Sequence, residues 1–91
     1  MQDFVIHACE QVLRFSRVEK WDDLSEARKV QLGFNLGVVV LGLELTKAEG
    51  YQALADAREG KITMRDFQNH LKSLIVAHGV KVDDANIVLE F

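Results

Sequence analysis

Residues 27–46 hold enough apolar side chains to satisfy two different neighbours, and that stretch limits what the chain can become. At the α-helical pitch of about 100° per residue, Ala27, Val30, Phe34, Val38, Leu41 and Leu45 form one stripe. Leu32, Leu36, Val39 and Leu43, flanked by Val40, form a second on roughly the opposite side. Small and polar residues fall into two lanes between them. Arg28, Gln31, Asn35, Gly42 and Thr46 occupy one lane; Glu26, Gly33, Gly37 and Glu44 occupy the other. A surface helix needs one apolar stripe, and two imply a helix sandwiched between partners. The stretch is therefore expected to be a central helix whose second face something must cover.

A strand is the rival reading of the same residues. Leu32, Phe34, Leu36, Val38 and Val40 alternate, the run is rich in valine, and alternation of that kind is the pattern of a half-buried strand. Three glycines inside a helix also cost about 1 kcal/mol each relative to alanine. However, the alternation switches phase at Val40–Leu41 with no turn residue, and no clear second strand is present to pair with it. A helix needs no phase switch and explains the glycines as lanes of close approach. The helix is the better account.

The flanking segments read as further helices. Asp3 is placed to cap a first helix over about 3–20, with Val5, Ala8, Cys9, Val12, Leu13 and Phe15 at three- and four-residue spacing. Asp23 and Glu26 have the spacing of a capping box that opens the second helix, about 24–46. Thr46 with Glu49 repeats the signal for a third helix, about 47–59, and Gly60 suits the left-handed residue that ends it. Thr63 with Asp66 opens a fourth, about 64–78, whose stripe of Met64, Phe67, Leu71, Leu74 and Ile75 runs to Gly79. Residues 80–91 have no helical period, and a short extended tail ending in Phe91 is expected to dock elsewhere. The expected fold is an all-α, compact four-helix domain spanning residues 1–91, with a central, doubly apolar second helix.

Composition sharpens the question of the second stripe. Counting glycine and leaving out tyrosine, about 54% of the 91 residues are apolar, above the roughly 45–50% usual for soluble domains. A domain this small has little interior in which to hide the surplus. Self-association or a standing protein partner is the natural outlet. Formal charge is −3 with the signs interspersed, which argues against a nucleic-acid or anionic-membrane surface. The run from Val30 to Leu43 is uncharged but shorter than the roughly 17–25 residues a bilayer span requires. Asp3 stands where a signal peptide would place positive charge, so the expected compartment is the cytoplasm.

Chemistry is thinly represented. Residues 55–66 resemble the second half of an EF-hand, with Gly60 as the loop glycine, Ile62 two residues on and Asp66 as the closing carboxylate. The first and third ligand positions then fall on Ala55 and Ala57, where calcium needs oxygen donors, so no metal site is expected. The hairpin of helices three and four could instead act as a DNA-binding helix-turn-helix, presenting Arg65, Gln68, Asn69 and Lys72. Asp56 at the position of a small packing residue, and Asp66 among the recognition set, weaken that alternative. His7 and Cys9 point about 200° apart on a helix and cannot share a metal. Asp66 and His70 are four apart and can meet, but two ligands do not make a site. His78 is placed to cap the last helical turn. Cys9, the single cysteine, reads as a small packing residue. Ser16, Ser25 and Ser73 lie in no nucleophile motif, and there is no glycine-rich phosphate loop, so neither catalysis nor a cofactor is expected.

The functional expectation is a small non-catalytic protein–protein interaction protein: a regulator, inhibitor or adaptor of the kind bacterial and phage genomes encode in number. It would act as a homodimer or by docking on another protein. Leu32, Leu36, Val39 and Leu43 are the expected interface, with Phe91 added from the tail. The alternative is a small transcriptional regulator that binds DNA through the helix 3–4 hairpin.

Overall fold

The computed structural model describes residues 3–81. Five helical segments lie in this range: α1 (Asp3–Phe15), α2 (Glu26–Gly42), α3 (Lys47–Gly50), α4 (Gln52–Arg58) and α5 (Met64–Ala77), with a short 3-10 turn at Trp21–Asp23 between α1 and α2. Only Tyr51 separates α3 from α4. Its amide donates to Lys47 O and its carbonyl accepts from Ala55 N, so the two segments form one interrupted helix and the architecture is that of four helices. No strand occurs among the described residues. The expected tail and Phe91 lie outside them.

The starts of the helices follow from local hydrogen bonding. Thr46 and Glu49 form a reciprocal capping box at α3, with Thr46 Oγ1 accepting from Glu49 N at 3.1 Å and Glu49 Oε1 accepting from Thr46 N at 2.9 Å. Thr63 and Asp66 do the same at α5. The second helix begins otherwise than its sequence suggests. Asp23 turns back to accept from Lys20 N at 3.1 Å, which stabilises the 3-10 turn and removes it from a cap on α2. Ser25 takes that place, its hydroxyl accepting from Arg28 N at 3.2 Å.

The ends obey a different rule. At Glu44, Gly60 and Gly79 the backbone enters the left-handed region, with φ of 55°, 77° and 79°. In each case the next amide reaches back five residues: Leu45 N to Val40 O, Lys61 N to Asp56 O, Val80 N to Ile75 O. These are Schellman closures, which satisfy carbonyls the helix would otherwise leave unpaired. Gly60 and Gly79 were legible as stops. Glu44 was not, because a glutamate seldom occupies this conformation; it ends α2 at Gly42 rather than near 46. The first helix also stops short of 20. Ser16 is buried and its hydroxyl donates to Leu13 O at 2.8 Å, a local bond that competes with helix continuation.

The core is one cluster to which every helix contributes. Val5, Ala8, Cys9, Val12 and Leu13 of α1 pack with Leu32, Leu36, Val39 and Val40 of α2 and with Met64, Phe67, Leu71 and Ile75 of α5. α4 adds Leu54 and Ala57, and Leu24, Leu43, Leu45 and Val80 close the cluster at the connections. α1 runs antiparallel along α2. Val5 lies against Gly42 at one end, and the guanidinium of Arg28 sits over the Phe15 ring, 4.6 Å from its centroid, at the other. The lane of close approach is real at Gly42, while Gly37 meets only an ordinary contact. A Cβ at Gly42 would come within 2.7 Å of both γ-carbons of Val5, and one at Gly37 would stand 3.5 Å from the Tyr51 hydroxyl. Gly33 has nothing within 4 Å and plays no such part.

One expectation is corrected here. Leu32, Leu36, Val39 and Leu43, the stripe assigned to an intermolecular interface, are all buried inside this chain's own core. They share the core with residues of α1, α4 and α5, and the adjoining Val40 lies against Gly50 of α3. Of the other stripe, Ala27, Val30, Phe34 and Leu41 are exposed, whereas Val38 is half-buried against the core and Leu45 is buried in it.

Candidate protein-docking face

The outer side of α2 is the most unusual surface among the described residues. Val30, Phe34 and Leu41 are 71%, 73% and 82% exposed, although each belongs to a residue type that folding normally removes from water. With exposed Ala27 and half-buried Gly37 they follow one line down the helix. The intervals are 3, 4, 3 and 4 residues, the spacing of a coiled-coil seam. Val38 flanks the line and is half-buried against the core. Asn35 turns its amide onto Gln31 O at 2.8 Å, so it satisfies itself on its own helix. No charged side chain interrupts α2 from Val30 to its end. Beside Gly37 stands Tyr51, 39% exposed.

This face overlaps the sequence stripe of Ala27, Val30, Phe34, Val38, Leu41 and Leu45, but it takes Gly37 from the neighbouring lane and loses Leu45 to the core. A signal that separates it from the opposite stripe was present. The outer line has Gly37 at its centre, between Phe34 and Leu41, and burial of that line would leave a gap where a core needs volume. The inner stripe has large aliphatic residues at every turn. Close packing selects the inner stripe for the core.

The second concave feature is a groove of about 950 Å³ between the segment Ser16–Asp22 and the turn Ala57–Gln68. Trp21 stands in its wall, with Arg58 Cζ 5.3 Å and Lys29 Nζ 5.8 Å from the ring centroid. Lys29 also pairs with Asp22 at 3.0 Å and Glu26 at 3.3 Å. The hydrogen bond from Lys29 to Asp22 raises its pKa, with Glu26 adding to the effect. Lys61 is paired with Glu59 at 3.1 Å, which raises its pKa as well. Asp66 is engaged at the Thr63 cap. Asp22, Glu59, Lys61 and Asp66 are thus engaged within their own segments, and Arg58 over Trp21 joins the two sides of the groove.

The remaining residues singled out from sequence separate into structural roles. Cys9 is fully buried, and burial raises its thiol to about 11, far from a reactive thiolate. Asp66 and His70 do not form a pair, since His70 Nε2 lies 3.2 Å from Glu49 O. His78 Nδ1 donates to Leu74 O at 2.8 Å and closes the last turn of α5. Ser25 is a cap and Ser16 is buried. No group of three or more His, Cys, Asp or Glu side chains among the described residues could hold a metal ion. No helix among them is long and apolar enough to cross a membrane. In the hairpin of α4 and α5, Gln68 donates its side-chain amide to Leu13 O at 2.8 Å. That bond ties Gln68 to α1 and takes it out of the recognition set. Asp56, at the position where a helix-turn-helix packs a small residue, accepts from Gln52 Nε2 at 3.0 Å.

No family model, no curated protein and no solved structure matches the chain.

Proposed function

We propose that this chain is a non-catalytic protein–protein interaction module, a small regulator, inhibitor or adaptor, which engages its partner through the outer face of α2. One observation carries the reading. Three large apolar side chains, more than two-thirds exposed, lie in line on a helix whose opposite face is locked into the core. Together they present about 400 Å² of apolar surface, the size of patch that on a small protein marks a place of contact. A rigid helix holding such a line is suited to recognition by another helix or by an apolar groove.

Phe34→Lys tests the proposal. The side chain is exposed, so the variant keeps the helical content of the parent and, at concentrations where the parent is monomeric, its thermal midpoint. Complexes formed by the parent, with itself or with proteins of the source cell, are expected to be lost in the variant. Retention of every complex by a folded Phe34→Lys protein would overturn the reading.

A further inference from the structure

We infer that the occupant of the α2 face is a second copy of this chain, docked antiparallel so that Phe34 of each copy seats on Gly37 of the other. The inference rests on the interaction reading above and adds to it the identity and orientation of the partner.

Ala27, Val30, Phe34, Gly37 and Leu41 alternate three- and four-residue steps, as the two core positions of a heptad do. When two such helices pair antiparallel, the first type of core position of one faces the second type of the other. Reversing this seam on itself pairs Leu41 with Val30, Phe34 with Gly37, Gly37 with Phe34 and Val30 with Leu41. Each central layer then combines the largest side chain of the line with the absence of one. A parallel pairing would instead put Phe34 on Phe34 and Gly37 on Gly37, crowding one layer and emptying the next.

The surroundings of Gly37 fit a socket. Its missing side chain leaves space whose wall is Tyr51, with the hydroxyl 3.5 Å from where a Cβ would stand. Tyr51 is partly exposed, and an aromatic ring entering from a second copy meets it as the side of the hole.

Charge and area point the same way. Each copy carries −3, a long-range repulsion that salt screens, and a neutral contact face adds no close like-charge pair to it. The segment from Val30 to Leu43 holds no charged residue, which suits a like-charged partner better than an oppositely charged one. Two patches of about 400 Å² give about 800 Å² of apolar surface, and at the roughly 65% apolar content of homodimer interfaces this corresponds to a total of about 1,200 Å². That is the lower edge of what specific association requires.

The test is sedimentation velocity on the full chain over a wide concentration range, together with the distance between spin labels on Glu26→Cys. Cys9 is fully buried and stays unlabelled. The inference expects a reversible dimer with the labelled positions about 30 Å apart, from 19 residues of helix rise combined with an interaxial distance of 8–10 Å. Phe34→Ala is expected to weaken the dimer by about 30-fold or more, as a central contact does. Gly37→Ala is expected to weaken it too while raising the thermal stability of the monomer, because the new Cβ fits its own chain at ordinary contact distance and improves helix propensity. A role confined to helix formation would not produce these opposite signs. A monomer at all concentrations overturns the inference, and leaves the broader reading intact if parent complexes with other proteins are lost in Phe34→Lys. A dimer with label separation near 10 Å, or one indifferent to Phe34→Ala, overturns it as well.

Discussion

Replacing Gly33 and Gly42 by alanine, one at a time, asks the same chemical change to act in two different surroundings. Both glycines lie in α2, and in a helix interior alanine is better than glycine by about 1 kcal/mol. At Gly33 a new Cβ meets nothing within 4 Å, so that gain is realised in full and the midpoint rises by about 4–8 °C. At Gly42 the Cβ would lie 2.7 Å from both γ-carbons of Val5 and 3.3 Å from its Cβ. Ordinary carbon contacts are about 3.5–4.0 Å. Val5 is buried and β-branched, so rotation about χ1 offers no escape, and α1 must move away from α2. Overpacking of this kind costs about 1–3 kcal/mol. With a smaller propensity gain at the last helical position, the net loss is about 1–2 kcal/mol. The two variants should therefore differ by about 2–3 kcal/mol in urea unfolding. Measurement in a Phe34→Ala background at low protein concentration keeps self-association out of the comparison. A Gly42→Ala protein as stable as Gly33→Ala, with an unchanged denaturant slope, would refute the packing of α1 against α2 described above.

Other positions give independent checks. Glu44 holds φ of 55°, a conformation that costs a non-glycine residue about 1–2 kcal/mol; Glu44→Gly should raise the thermal midpoint, and a lower one would contradict the Schellman closure. Leu36→Ala should cost about 2–5 kcal/mol because that side chain is fully buried, whereas Phe34→Ala in the monomer should change stability by no more than about 0.5 kcal/mol; equal costs in denaturant titration would mean that the inner and outer faces of α2 are misassigned. The Cys9 thiol, raised from 9.0 to about 11 by burial, stays protonated in the folded chain where the unfolded chain ionises. Its contribution is thus fully present below pH 9 and lost as pH rises towards about 11. The parent should lose stability over this window faster than Cys9→Ala, and identical slopes would show that the thiol is not desolvated.

Much of the fold was legible because helix signals are local. Thr46 with Glu49 and Thr63 with Asp66 carry both halves of a capping box within four residues, and both boxes form. Gly60 and Gly79 supply the positive φ that a helix end requires. Asp23 with Glu26 shows the same pattern and fails, since a capping residue has more than one amide within reach. Asp23 lies three residues from the amide of Lys20 as well as from Glu26, and the intervening Ser25 can cap one turn later. Glu44 was illegible for the opposite reason. Nothing local asks a glutamate to adopt a left-handed conformation; Leu43 and Leu45 on either side are both buried, and their burial holds the turn in place.

The two stripes of α2 show where local reading gives way to volume. Both have helical spacing, both are apolar, and period alone ranks neither. What separates them is the shape of each when pressed against a neighbour. Leu32, Leu36, Val39, Val40 and Leu43 form a continuous strip that is buried in the core shared with α1, α4 and α5. The outer line has a hole at Gly37 with Phe34 beside it, so it cannot pack well against a smooth helix. It can pack well against a surface that supplies a ring where it has none and a recess where it has a ring. The reversed seam of a second copy is such a surface. The same glycine that disqualifies this stripe as core therefore argues for its use as contact. A small domain with more apolar residues than it can enclose has placed the better-filling set inside and kept the self-complementary set outside.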